Sequence, residues 1–190
     1  PDMRVSHVIA SLEDRHGGPS RSVRALANAM AGAGVHTELL TTLERGQAMA
    51  AAGADAADLH IFPREVPRWL CRSRGLAARL REESYDCIHS HALWLLTLRY
   101  AHEAARRQKV PLVIAPRGMM SGWAWEHRRA RKWRAERLVH PGAFAAAAGW
   151  HATSEAEAAD IRRLGFRQPI CVAPNGVDLP EAEPLAAARA

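Results

Sequence analysis

The stretch RVSHVIASLEDRHGGPSRSVRALANAMAGAGVHTELLTT, residues 4–42, reads as a strand, a helix and a second strand in immediate succession. Val5–Ala10 is a short apolar run of strand length. Gly17-Gly18 breaks it, and Pro19 stands where proline opens a helix, because its missing N–H and fixed φ suit the first turn. Val23, Leu26, Ala27 and Met30 then recur at i, i+3, i+4 and i+7, one apolar stripe. Gly32 and Gly34 end it, and Val35–Thr41 reads as the second strand.

The alternation continues downstream. His60–Phe62, Cys87–Ser90, Val110–Ala115, Trp150–Thr153 and Ile170–Ala173 have strand character. Helical patterns fall at about Arg68–Glu83, Leu93–Gln108, Glu126–Val139 and Ser154–Leu164, with Pro116–Ala124 a loop. Residues 44–58 are rich in alanine and glycine and match neither pattern. Strands alternating with helices at this spacing predict an α/β fold: a Rossmann-like, mainly parallel sheet with helices on both faces. Ligands of such sheets bind outside the carboxyl ends of the strands. That rule singles out Ser11–Gly18, Ser90–Trp94, Pro116–Gly122, Thr153–Glu155 and Pro174–Gly176.

Composition sets the outer bounds. The 190 residues, 48% of them apolar, suffice for one domain with its own core. No run of about 18 apolar residues is present to span a membrane. Cys71, Cys87 and Cys171 are odd in number and widely spaced, with no CxxC, so neither a disulfide framework nor a cysteine metal site is indicated. A reducing, cytoplasmic setting fits them. The net charge of +6 invites a nucleic-acid reading, yet of 26 basic residues only Lys109 and Lys132 are lysine. Together with the abundant alanine, that reflects the coding bias of a GC-rich genome more than a partner. No nucleic acid is expected.

The residues at the strand ends suggest chemistry. The Gly17-Gly18-Pro19-Ser20-Arg21 turn lets backbone amides approach an anion at a helix N-terminus. It is neither GxGxxG nor a P-loop, and a plain βα connection accounts for it equally well. In Asp86–Trp94 the two histidines of His89-Ser90-His91 project from one strand face. A metal pair is conceivable, but no third ligand is evident in the sequence, and no metal is expected. His91 is the better cleft residue, with Trp94 available to stack on a sugar ring. Arg117, between Pro116 and Gly118, is held in a fixed turn where its fork suits phosphate or carboxylate, or a surface ion pair.

Between Trp123 and Leu138 six basic residues face two acidic ones, with tryptophans interleaved. Trp123, Trp125, Arg128, Arg131, Lys132 and Trp133 suit an anionic membrane surface. Stacked bases would use similar residues, and a solvated arginine face over core tryptophans is the commonest origin of such a pattern.

Taken in order, LANAMAGAGVHTELLTT (Leu26–Thr42), DCIHSHALW (Asp86–Trp94), APRGMMSGWAW (Ala115–Trp125), HATSEAEAADIRRLG (His151–Gly165) and VAPNGVDLP (Val172–Pro180), with the glycine loop, resemble the N-terminal domain of family 4 retaining glycosyltransferases of GT-B fold. The resemblance implies two facing Rossmann-like domains. Residues 1–180 would be the acceptor-side domain and 181–190 the start of a linker to a donor domain. It further implies a sugar nucleotide as donor substrate, no other cofactor, and a hydroxyl acceptor, which a lipid could carry. The leaving phosphate would help deprotonate that hydroxyl.

On this resemblance Gly17 and Gly18 meet the donor phosphates, and Ser154-Glu155 match the family's Ser-Glu. By strand-end topology His91, to hydrogen-bond a hydroxyl, and Arg117, to offset negative charge, join them in one pocket as catalytic residues. Pro19, Ser20, Arg21, Trp94, Gly118, Met119, Ser154 and Glu155 line the cleft. One departure stands out. Many members place a histidine before the glycine that ends the fifth strand, whereas Arg117 occupies that position here, as in a Pro-Arg-Gly-Met subgroup. The reading that follows is half of a sugar-transferring enzyme, inactive alone, in polysaccharide or glycolipid synthesis, with a membrane-associated location on the cytoplasmic side. A stand-alone α/β module for a phosphorylated ligand or nucleic acid is the alternative, and a sugar-nucleotide epimerase of similar architecture a more distant third.

Overall fold

The computed structural model describes residues 3–13, 18–44, 55–91, 93–127 and 129–176, apart from the side chains of Arg129 and Arg131. Strands β1 (Arg4–Ile9), β2 (His36–Leu43), β3 (Asp58–Pro63), β4 (Cys87–Ser90), β5 (Leu112–Ile114), β6 (Gly149–Ala152) and β7 (Ile170–Val172) form one sheet. Helices α1 (Gly18–Gly32), α2 (Arg74–Glu82), α3 (Leu96–Gln108), α4 (Gly122–Glu126), α5 (Arg129–Leu138), α6 (Ala143–Ala146) and α7 (Glu155–Arg163) connect them. The strand order is β3-β2-β1-β4-β5-β6-β7 and every pairing is parallel. The chain winds outward from β1 to β3 and then returns to lay β4 beside β1. That reversal makes the carboxyl ends of β1 and β4 the switch point, where such sheets bind ligands.

Side-chain alternation divides the core between the two faces. Val8, Leu40, Ile88, Ile114 and Trp150 point to one face, against Leu76 and Leu80 of α2, Leu98 and Ala101 of α3, Phe144 of α6 and Ile161 of α7. Ile9 and Leu39 point to the other, against Val23 and Ala27 of α1. The expected architecture is therefore present, with helices on both faces.

Several local expectations need correction. The helix placed at Arg68–Glu83 is two pieces: a 3₁₀ turn at Arg68–Leu70 ends at Cys71 in the left-handed region (φ 53°), and α2 starts afresh after Ser73, whose side chain caps it. Leu93–Gln108 becomes helical only from Leu96. The loop before Ala124 already contains the start of α4, Ser121 capping it, and Glu126 closes α4 instead of opening α5. Short α6 carried too little periodicity to be seen. Residues 45–54 and 177–190, and with them the linker expected at 181–190, lie outside the described residues.

At the opposite, amino end of the sheet, Glu38 is 1% exposed and holds three donors. It accepts from Arg79 Nη2 at 3.0 Å, from the Tyr85 hydroxyl at 2.9 Å and from Arg4. Burial alone would raise the Glu38 pKa, but the donated hydrogen bonds of Arg79, Arg4 and Tyr85 outweigh it and hold the carboxyl below its usual range. Without Glu38 the buried Tyr85 hydroxyl loses its acceptor, while Arg4 and Arg79, both partly exposed, keep Glu83. Glu38→Ala should accordingly cost about 1–3 kcal/mol, read as a lower urea midpoint, whereas a value near zero would show that the cluster contributes little.

Candidate active site at the sheet switch point

Four histidines converge on the α1 face of the sheet, close to the carboxyl ends of its central strands. The register pairs His7 of β1 directly with His89 of β4. His91 follows two residues after His89, and His151 of β6 joins from the far side. His7 Nδ1 lies 2.9 Å from His91 Nε2, and His151 Nδ1 lies 3.3 Å from His89 Nε2.

The surrounding donors and acceptors assign the tautomers. Arg117 Nη2 donates to His91 Nδ1 at 3.2 Å. His91 must then carry its proton on Nε2 and donate to His7 Nδ1. This leaves His7 with an Nε2–H that is buried and has no partner among the described residues. In the second chain His151 Nε2 donates to the Ala173 carbonyl at 3.0 Å, so its Nδ1 accepts from His89. Burial pushes all four imidazoles toward the neutral form, and Arg117 and the neighbouring rings add to the effect. For His7 the pKa falls to about 4.

Arg117 is the cation of this site. It has φ 53° and Gly118 has φ 82°, consecutive left-handed residues that swing the chain sharply off β5. Besides His91, its guanidinium donates to Asn175 Oδ1 from the Pro-Asn-Gly segment. Burial lowers its pKa, which for a guanidinium still leaves it charged. The turn is fixed from behind by Glu157, which is buried in the first turn of α7. Its carboxylate accepts from Gly118 N at 2.6 Å, Thr153 N at 2.7 Å and Thr153 Oγ1 at 2.9 Å.

The structure thus brings His91 and Arg117 together, but it changes the part His91 can play. His91 is 1% exposed and both its ring nitrogens are engaged, so it has no atom for a substrate hydroxyl. It positions Arg117. Gly118 is exposed, and Met119 is half-buried and packs against the core on the face opposite the histidines.

Ser154 and Glu155, expected to line the cleft, stand at the start of α7. The Ser154 hydroxyl caps α7, accepting from Glu157 N at 3.2 Å, and Glu155 is exposed. The carboxylate of this segment that holds the Arg117 turn is Glu157, signalled by the Ser-x-x-Glu spacing of a helix start. Gly17 lies outside the described residues. Gly18 is the first residue of α1, not a left-handed turn residue, and a Cβ built on it would meet nothing within 4 Å. Pro19 follows it in the first turn, Ser20 is buried and Arg21 exposed.

Trp94 departs furthest from expectation. It packs against Trp125 at 5.6 Å, His140 at 5.8 Å and Phe144 at 5.5 Å. Phe144 belongs to the core on the sheet face opposite the histidines, so Trp94 does not stack beside His91. Instead it lines a cavity of about 640 Å³ shared with the 3₁₀ turn and α5. Trp125 is half-buried in the same cluster and leaves the proposed membrane face. Trp123 and Trp133 are exposed, Lys132 is half-buried, and Arg128 and the Arg131 side chain lie outside the described residues.

A third candidate ligand joins the histidine pair: nitrogens of His7, His89 and His91 fall within 4.8 Å of one another. The donor set nevertheless suits a cation poorly. The His7 and His91 rings are within 7° of parallel, with their facing nitrogens already sharing a proton at 2.9 Å, and Arg117 adds a positive charge.

The sequence matches the Glycosyltransferase Family 4 profile over residues 16–181. The chain belongs to glycosyltransferase family 4. No curated protein matches it by sequence. Among solved structures, Anabaena Alr3699/HepE in complex with UDP and glucose shares 19% identity at a TM-score of 0.60, over 93% of this chain and 45% of that one. The same protein with UDP-glucose gives 20% and 0.61, over 93% and 44%. A proposed UDP-N-acetylglucosamine 2-epimerase from Listeria monocytogenes gives 13% and 0.53, over 90% and 44%. These likenesses establish the shared fold, and the chain spans less than half the length of each. The family 4 match takes in every element of the Arg117 site except His7, which lies upstream of it.

Proposed function

We propose that this family 4 chain is the acceptor-side half of a retaining, metal-independent glycosyltransferase of the Pro-Arg-Gly-Met subgroup. The complete protein would move a sugar from a sugar nucleotide to a hydroxyl acceptor in polysaccharide or glycolipid synthesis. Residues 1–180 form the domain, and the donor domain lies beyond it. The observation carrying this reading is Arg117, a cation fixed by His91 and Asn175 at the end of β5, beside the switch point. A guanidinium held in place before the substrate arrives stabilises the negative charge of a departing phosphate without reorganisation. That HepE is solved with UDP and with UDP-glucose supports a sugar nucleotide here.

The test compares the 190-residue chain with the complete protein, using a panel of UDP-sugars and hydroxyl acceptors. We expect transfer by the complete protein alone, with the donor's anomeric configuration kept in the product when followed by NMR. Turnover by the 190-residue chain, or an inverted product, would refute the proposal.

A further inference from the structure

The cavity beside Trp94 plays no part in the site built around Arg117, and its chemistry is distinct. Its walls are Leu70, Leu95, Val139 and the Trp94 ring, and its mouth is formed by Trp69 and Leu138, which are 67% and 68% exposed. Lys132 and Arg134 stand at the same opening. Among the described residues neither has an acidic partner. Lys132 Nζ instead lies 5.7 Å from the centre of the Trp94 ring. Trp133 of α5 and Trp123 of α4 are also exposed, the first under the Arg137 guanidinium at 5.6 Å.

We infer that this cavity receives the hydrocarbon chain of a phosphate-bearing membrane lipid, with Lys132 and Arg134 meeting its headgroup. The volume lies within the range that encloses small ligands, and the lining is mainly apolar apart from His127 and the basic pair. Large exposed apolar residues grouped at one opening mark an interaction surface. Exposed tryptophans beside unpaired basic residues are the chemistry of a membrane interface with anionic lipid. A protein partner would need acidic groups around an apolar plug, whereas a lipid supplies both features in one molecule. Position adds to the case. Trp94 and Leu95 belong to the segment that leaves the carboxyl end of β4, so the cavity lies toward the same end of the sheet as Arg117. On the function proposed above such a lipid would carry the acceptor hydroxyl, and only this last point rests on that reading.

Binding to the chain can be measured by calorimetry with three probes and no sugar donor. They are dihexanoylphosphatidylglycerol below its micelle concentration, dihexanoylphosphatidylcholine, and glycerol 3-phosphate. The anionic lipid should bind about tenfold more tightly than the zwitterionic one, and the headgroup alone should not bind measurably. Ala135→Phe, which fills the cavity, should weaken the anionic lipid by about tenfold with an unchanged circular dichroism spectrum. Leu138→Ser, at an exposed position, serves as the second variant if that one fails to fold. Lys132→Gln with Arg134→Gln should erase the preference for the anionic lipid. Equal binding of the two lipids, equal binding of the headgroup alone, or indifference to filling the cavity would overturn the inference. Because no donor is present, a negative result leaves the sugar-transfer reading untouched, and failure of sugar transfer leaves this binding untouched.

Discussion

Replacing Arg117 with alanine is expected to lower turnover in the complete enzyme by about 10²–10³-fold while the fold survives. The size follows from removing a preorganised donor aimed at developing charge and backed by the buried histidine cluster. The small stability effect follows from geometry. The guanidinium reaches out from the turn to His91 and Asn175 without filling the core. Its loss leaves one buried acceptor, His91 Nδ1, without a donor, at a cost of about 1–3 kcal/mol. Alanine at φ 53° is no more strained than arginine there. Arg117→Lys is the informative companion, because a single ammonium cannot span both His91 and Asn175 as the planar fork does, and it should recover only part of the rate. Wild-type kcat in Arg117→Ala would remove the residue from the mechanism.

Acidification is expected to produce the second large effect. In the unfolded chain histidines protonate near pH 6.5, but burial lowers His7 and His140 to about 4 in the folded protein. His140 is fully enclosed beside Trp94 and Phe144, with neither ring nitrogen bonded. Above pH 6.5 both states hold these rings neutral and stability is unaffected. Between 6.5 and 4 the unfolded state binds more protons, so the free energy of unfolding falls as pH falls. Each ring then contributes a loss of about 2 kcal/mol by pH 5 and about 3 kcal/mol by pH 4. His89 and His91, shifted in the same direction, steepen the decline. Urea unfolding at pH 7.5, 6 and 5 reads this directly. His140→Phe should return about 2 kcal/mol of the loss at pH 5. A stability that does not change from pH 7.5 to 5 would mean that these imidazoles are not held neutral.

The sequence disclosed elements wherever a single period ran uninterrupted. Cys87–Ser90 was bounded to the residue, and Pro19 marked the first turn of α1. It failed where a local backbone choice overrode the pattern, as at Cys71, whose left-handed conformation splits a stretch that is helical by composition. The Arg117 site was half legible. Arg117 and His91 stand out because each interrupts an apolar run at a strand end. His7 sits inside Val5–Ile9, a run that reads as plain core, and its importance arises only when β1 and β4 become neighbours across 82 residues of sequence. Glu157 carries no sequence signal beyond the Ser-x-x-Glu spacing, and helix geometry turns it inward while Glu155 faces out.

The grip of Glu157 has a consequence for how the molecule opens. Gly118 lies in an exposed turn where an amide would ordinarily exchange freely with solvent. Its hydrogen is instead held by a carboxylate buried 39 residues further along the chain, which also holds the Thr153 amide. The two amides should therefore share one opening event and show the same protection in deuterium exchange, although they belong to different loops. Unwinding the first turn of α7 would release both at once. The turn carrying Arg117 would then be only as rigid as the start of a helix it never touches in sequence.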